Sequence, residues 1–145
     1  MSYGETAKFL FNSGFNCAQS VLGSLAEELG LEQETALAIA GGLGGGCACG
    51  ELCGALSGGI LAIGAQTGFS DGQNLTAKEN AHAKTAAFTV AFREKFGAVR
   101  CFDLLGHDLT SDEGRAIHQN TSEREDKCTK YVMWAAEHCL GDKID

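Results

Sequence analysis

Residues 52–68 read LCGALSGGILAIGAQTG and form the most apolar stretch around which the other predicted helices are arranged. Its apolar side chains recur at the spacing of a helix, which predicts a buried helix. Three of its small residues, Gly54, Gly58 and Gly59, let another backbone approach closely, so we expect this helix to cross a neighbour at short range. The apolar run is too short to span a bilayer, which favours a buried helix pair over a membrane segment.

Helix-capping residues predict where the flanking helices begin. At each of four places, a side chain that accepts a hydrogen bond precedes an apolar periodic stretch. These places are Ser2 with Glu5, Asn16, Thr76 with Glu79, and Ser122 with Glu125. A further helix is predicted from Glu32, and residues 106–121 are predicted to form a surface loop with one helical turn.

The longest predicted helix is amphipathic, begins at Thr76 and ends at Gly97. The side chains predicted to form its apolar face are Ala83, Ala87, Val90, Ala91 and Phe92.

No segment shows the alternation of apolar and polar residues that is typical of a β-strand. The sequence therefore predicts an all-α fold in a single domain over residues 1–145. We expect a compact bundle of about five to six helices, with a Gly/Cys-rich loop between the third and fourth.

The net charge and the cysteine content limit the functions that the chain can have. The chain has 19 acidic and 11 basic residues, a formal charge of −8, so nucleic-acid and membrane-surface partners are not expected. Residues 1–10 have no basic stretch ahead of an apolar one, which predicts a cytoplasmic protein. Seven cysteines in a reducing compartment more often bind metal or change redox state than form structural disulfides.

Four cysteines share a position relative to the predicted helices. Each lies in or close to a first turn: Cys17, Cys53, Cys101 and Cys128. Free amide hydrogens and the helix dipole favour negative charge there, which stabilises a thiolate or an anionic cluster held by thiolates. Any one of them alone is explained as a small buried apolar side chain. The repetition favours one shared site.

A second local group lies in the glycine-rich stretch 41–50, where Cys47 and Cys49 precede Cys53. The glycines allow the backbone to fold around a metal or to bring amides onto sulfur. The spacing lacks the C-x-x-C pairs of a zinc ribbon or of thioredoxin, and a flexible loop with exposed thiols is the alternative. The stretch has no phosphate-loop motif and no strand ahead of it, which excludes nucleotide binding.

The four histidines are spread along the chain, at positions 82, 107, 118 and 138. His107 lies near Cys101 and His138 precedes Cys139, so these two can join a thiolate site. Each histidine is otherwise interpreted as a solvated or locally hydrogen-bonded side chain.

The hexapeptide at 53–58, CGALSG, resembles the motif of the C_GCAxxG_C_C redox-active protein family. That family is named for a Cys, a Gly/Cys/Ala-x-x-Gly motif and two further Cys. Three other stretches resemble its remaining cysteine sites: NCAQSVL at 16–22, CFDLLG at 101–106 and CTKYV at 128–132. The resemblance covers nearly the whole chain.

This family is similar to the non-haem domain of split-Soret cytochrome c, a helical dimeric protein whose four cysteines are associated with an iron–sulfur cluster. The resemblance implies a homodimer and a cluster. The ligands it implies are Cys17, Cys53, Cys101 and Cys128. The chain has no C-x-x-C-H, so a covalent haem is not expected. Outside the four-cysteine pattern are Cys47, Cys49 and Cys139.

Three hypotheses follow for the function. The leading one is an iron–sulfur protein, with [2Fe–2S] favoured over [4Fe–4S], that passes single electrons to a redox partner protein and is an electron carrier rather than a stand-alone enzyme. The second is a thiol–disulfide oxidoreductase in which Cys47, Cys49 or Cys53 attacks a substrate disulfide. The third is a zinc-stabilised binding module without catalysis, which four thiolates also support.

Overall fold

Helices follow one another along residues 1–141, the part of the chain that the computed structural model describes. They are α1 (Tyr3–Asn12), α2 (Cys17–Leu25), α3 (Gln33–Ile39), α4 (Gly54–Thr67), α5 (Leu75–Phe96), α6 (Cys101–Leu105), α7 (Asp112–Asn120) and α8 (Thr129–His138). Two wide turns complete them: the glycine turn, Gly46–Gly50, and the π turn, Arg124–Cys128. The prediction of an all-α fold with a Gly/Cys-rich loop before the fourth helix is confirmed.

Helix α4 lies in the middle of the bundle and packs against α2, α5 and α8. Its two adjacent glycines face different neighbours. A β-carbon on Gly58 would lie 2.6 Å from the carbonyl oxygen of Ala18 in α2, and one on Gly59 would lie 2.6 Å from the ring of Phe88 in α5. The predicted close crossing is therefore present on two sides of the helix. Within residues 1–141, no helix is both long enough and apolar enough to cross a bilayer.

The first two helices begin where the capping residues predict. The Ser2 side chain accepts a hydrogen bond from the Glu5 amide at 3.1 Å, and Asn16 accepts one from the Gln19 amide at 2.9 Å. The Asn16 side-chain amide also donates to the carbonyl oxygen of Gly41 at 2.9 Å. The residue that starts α2 thus also fixes the beginning of the glycine-rich stretch.

The two later capping predictions are wrong. Helix α5 begins at Leu75 rather than after Thr76, because the Asn74 side chain accepts the hydrogen bond from the Ala77 amide at 3.0 Å. The hydroxyl of Ser122 donates to the Asp126 carboxylate at 2.6 Å, so the π turn begins without a capping side chain. Several polar residues near each start compete for one capping position, and pattern alone does not choose among them.

Helix α7 forms where the sequence predicts a loop with one helical turn. The Ser111 hydroxyl accepts a hydrogen bond from the Gly114 amide at 2.9 Å, and Asp112 and Glu113 lie in the first turn. A capping serine and early acidic residues stabilise a helix start even where few apolar residues follow.

The predicted apolar face of α5 is also wrong in part. Ala83 and Ala87 are exposed, and Val90 is 47% exposed. The buried side chains are Phe88 and Phe92, whose rings contact the aromatic side chains of α8. The large rings decide which side of the helix faces the core, because they bury more apolar area than alanine does.

We expect Gly58→Ala to lower the free energy of unfolding by about 1–3 kcal/mol, because its methyl group would push α4 away from α2. The matched control is Gly64→Ala on the same helix, where no atom lies within 4 Å of the added carbon. Alanine favours a helix, so this control should gain up to about 1 kcal/mol. Urea unfolding followed by circular dichroism measures both variants. Unchanged or higher stability of Gly58→Ala would contradict the close crossing.

Candidate metal centre

One cavity of about 220 Å³ brings together the four cysteines that share a predicted helix position. They are Cys17 at the start of α2, Cys53 before α4, Cys101 at the start of α6 and Cys128 at the end of the π turn. Three of them are 5–8% exposed, and Cys17 is half-buried. Cys128 differs from the prediction, because the π turn places it one turn inside the helical segment that continues into α8.

Two backbone hydrogen bonds place Cys53 beside Cys101. The Cys53 amide donates to the carbonyl oxygen of Val99 at 2.8 Å, and the Cys101 amide donates to that of Glu51 at 2.7 Å. The Arg100 and Glu51 side chains pair across the same junction, with 3.3 Å between Nε and Oε2. The chain segments that precede α4 and α6 are therefore held antiparallel and side by side.

A close approach at Gly54 places the start of α4 against Cys17. A β-carbon on Gly54 would lie 3.0 Å from Cβ of Cys17, so a larger residue would separate the two helix starts. Gly46, at φ +66°, allows the glycine turn to approach the start of α6 closely. A β-carbon on Gly46 would lie 2.9 Å from Cβ of Cys101. These glycines let four chain segments meet around one small cavity.

Burial keeps two of the cavity thiols protonated. It raises the pKa of Cys53 to about 12 and the pKa of Cys101 to about 11. Backbone amides of Ala55 and Leu56 donate to the Cys53 sulfur and partly offset the effect of burial on its pKa. A thiolate at Cys53 thus has hydrogen-bond donors already in place.

Cys17 and Cys128 form a hydrogen-bonded pair of sulfurs. The hydrogen bond, with burial, raises the pKa of Cys17 well above its usual value, and the same bond lowers the pKa of Cys128. The charges of Arg124 and Lys127 also lower the pKa of Cys128. Arg124 lies in the cavity wall, where its guanidinium stacks 3.6 Å from the centre of the Phe11 ring. Cys128 is therefore the first of the pair to ionise.

The remaining cysteines lie outside the cavity. Cys47 and Cys49 are exposed on the glycine turn, and Cys139 is buried at the end of α8. Cys47 and Ala48 have φ values of +58° and +57°, a left-handed conformation that is unfavourable for residues other than glycine. The loop thiols are thus solvent-accessible and lie on a strained backbone.

The structure also brings together two histidines and a glutamate that no sequence motif connects. His107 Nε2 lies 2.8 Å from Oε1 of Glu123, and His118 Nδ1 lies 2.5 Å from the same oxygen. His118 also lines the four-cysteine cavity. The histidines were interpreted singly, and no short motif connects them with a glutamate. The order His107, His118, Glu123 within one polar stretch is the only signal that the sequence offers.

The fold and the cavity define a class: an all-α, cysteine-rich protein in which four separate helical segments bring thiols to one buried site. The chain belongs to the family described as "Putative redox-active protein (C_GCAxxG_C_C)", whose model matches residues 15–140. This confirms the resemblance drawn from the cysteine motifs. No curated protein and no solved structure matches the chain.

Because protons and metal compete for the cavity thiols, we expect Cd²⁺ to bind more tightly as the pH rises from about 6 to about 8. The raised pKa values of Cys53 and Cys101 mean that a bound ion must displace their protons. Cadmium–thiolate absorption in a titration measures the affinity, and a pH indicator measures the released protons. Cys139→Ser, outside the cavity, should keep this dependence. An affinity independent of pH would contradict the account.

Proposed function

We propose that this protein is an electron carrier in which Cys17, Cys53, Cys101 and Cys128 hold an iron–sulfur cluster, [2Fe–2S] in preference to [4Fe–4S]. The observation that carries the proposal is that these four of the seven cysteines line one cavity. Four thiolates are the usual ligand set of both clusters. Membership of a redox-active family supports electron transfer as the use of such a site.

The spacing of the thiols supports a cluster over a single ion. Within residues 1–141, no three of these sulfurs lie within 4.8 Å of one another. Four thiolates on one zinc ion lie about 3.8 Å apart, as the Zn–S distance of 2.3 Å requires. Thiols distributed around a cavity suit a group that contains several metal ions.

The residues around the cavity would change the reduction potential of a bound cluster by partly neutralising its negative charge. A bound cluster would supply one-electron transfer, and its reduced form carries the greater negative charge. Amides of Ala55 and Leu56 donate to the Cys53 sulfur, and Arg124 adds a positive charge to the wall. Both features favour the reduced form and raise the reduction potential.

The proposal includes the partners that the sequence implies. A redox partner protein would exchange electrons with the cluster, and the chain would form a homodimer. The formal charge of −8 favours a partner with a basic docking surface and disfavours nucleic acid or an anionic membrane.

Replacing any one cavity cysteine should remove the cluster. We expect anaerobically purified protein to contain iron and acid-labile sulfide in matching amounts. The variants expected to lose both are Cys17→Ser, Cys53→Ser, Cys101→Ser and Cys128→Ser. The matched control is Cys139→Ser, which replaces a buried cysteine outside the cavity and should retain both. Elemental analysis and a sulfide assay measure the contents.

Wild-type protein without iron and sulfide would reject the proposal. Zinc in place of iron, with unfolding by chelators, would support the zinc-stabilised binding module instead.

The glycine turn supports a second candidate function, thiol–disulfide exchange. Cys47 and Cys49 are exposed, whereas burial and protonation make Cys53 a poor nucleophile. A thiolate of one loop cysteine would attack a substrate disulfide and release one substrate thiol. The other loop cysteine would then attack the mixed disulfide, releasing the second substrate thiol and leaving a protein disulfide. An external dithiol reductant would restore the loop.

The double variant Cys47→Ser/Cys49→Ser tests this second function. It should lose the reduction of a model disulfide such as insulin in the presence of a dithiol reductant. Its iron and sulfide contents should equal those of the wild type, because neither residue lines the cavity. Undiminished disulfide reduction by the double variant would exclude these two residues from such chemistry.

A further inference from the structure

A second group of metal-binding side chains lies beside the four-cysteine cavity. The ligand atoms of His107, His118 and Glu123 all lie within 4.8 Å of one another. In residues 1–141, this is the only group of three or more histidine, cysteine or acidic side chains that meets this distance. His118 lies in the cavity wall, so the group is adjacent to the thiols.

Three separate segments bring these side chains together. His107 follows the glycine that ends α6, His118 lies in the last turn of α7, and Glu123 precedes the π turn. The side chains are only 14%, 20% and 10% exposed, respectively. Two imidazoles and a carboxylate that are mostly withdrawn from water differ from the acidic clusters common on protein surfaces.

The distances in the group are close to those in a metal site. Two ring nitrogens approach the same oxygen, at 2.8 Å and 2.5 Å. Ligands at about 2.0–2.1 Å from one ion lie about 3 Å from each other, so a small outward movement makes room for the ion. The nitrogen that each histidine directs at Glu123 is the atom that would bind the metal.

We propose that His107, His118 and Glu123 form a second metal site, which binds a divalent first-row transition ion. Two imidazole nitrogens and one carboxylate oxygen suit Zn²⁺ and Fe²⁺ and leave at least one coordination position open. The donor set contains no sulfur, so the site is chemically distinct from the four-cysteine cavity and does not rest on a cluster there.

An ion at this position would connect the segments that carry two of the cavity thiols. Cys101 begins α6, which ends just before His107, and Cys128 ends the π turn that follows Glu123. The ion would fix these two segments relative to α7. Its open position would let water or a small ligand bind next to the cavity.

Zinc X-ray absorption on the anaerobically purified protein tests the site. The protein is equilibrated with Zn²⁺, and loosely bound metal is removed by gel filtration. We expect one retained zinc per chain with nitrogen and oxygen ligands at about 2.0–2.1 Å, including imidazole, and with no sulfur at about 2.3 Å. His107→Gln and Glu123→Gln should lose this zinc and keep the iron and sulfide of the wild type, because neither residue lines the four-cysteine cavity.

Two matched variants control for a change of charge or of residue type. His82→Gln and Glu125→Gln replace exposed side chains outside the group, and both should retain the zinc. Circular dichroism shows whether each variant folds.

The proposal is overturned if the wild type retains no zinc, which decides the matter even if the variants do not fold. It is also overturned if the zinc has only sulfur ligands or if Glu123→Gln retains the nitrogen- and oxygen-bound zinc. Iron and sulfide are measured on the same samples. Zinc bound by nitrogen and oxygen in a protein without sulfide would reject the cluster and uphold this second site.

Discussion

The close contact between the backbones of α4 and α2 is the constraint on which the rest of the structure depends. Gly54 and Gly58 lie four residues apart on one face of α4. A side chain on Gly58 would collide with α2, and one on Gly54 would press against it. The contact fixes Cys53 next to Cys17, because each cysteine lies at the start of its helix. The glycines that follow the cysteine in CGALSG therefore place its thiol in the cavity.

The cavity concentrates four thiols that water would otherwise solvate. Burial raises the pKa of Cys53 and Cys101, and the hydrogen bond to Cys128, with burial, raises that of Cys17. Of the four cavity thiols, only Cys128 has a pKa below its usual value. Hydrogen-bond donors to the Cys53 sulfur and the positive charge of Arg124 oppose the rise of the thiol pKa values. They do not provide one positive charge for each of four thiolates. A bound metal group would replace the protons and make use of these donors. The electrostatics and the packing therefore favour the same interpretation of the site.

The features that the sequence predicts correctly are those that local interactions control. The buried helix α4 and the capped starts at Ser2 and Asn16 depend on residues close together in the chain, as do the helix positions of three cavity cysteines. The apolar face of α5 is predicted only in part, at Phe92, because alanine fits either side of a helix and contacts with distant aromatic rings decide which side is buried. The group around Glu123 was also missed. Its histidines meet the carboxylate only after α6, α7 and the π turn have packed together.

Mössbauer spectroscopy of protein produced with isotopically enriched iron tests whether Cys17, Cys53, Cys101 and Cys128 hold an iron–sulfur cluster. We expect the signal of tetrahedral iron with sulfur ligands, which changes when the protein is reduced by one electron. A spectrum that contains only iron with nitrogen and oxygen ligands, or no iron at all, would contradict the proposed cluster.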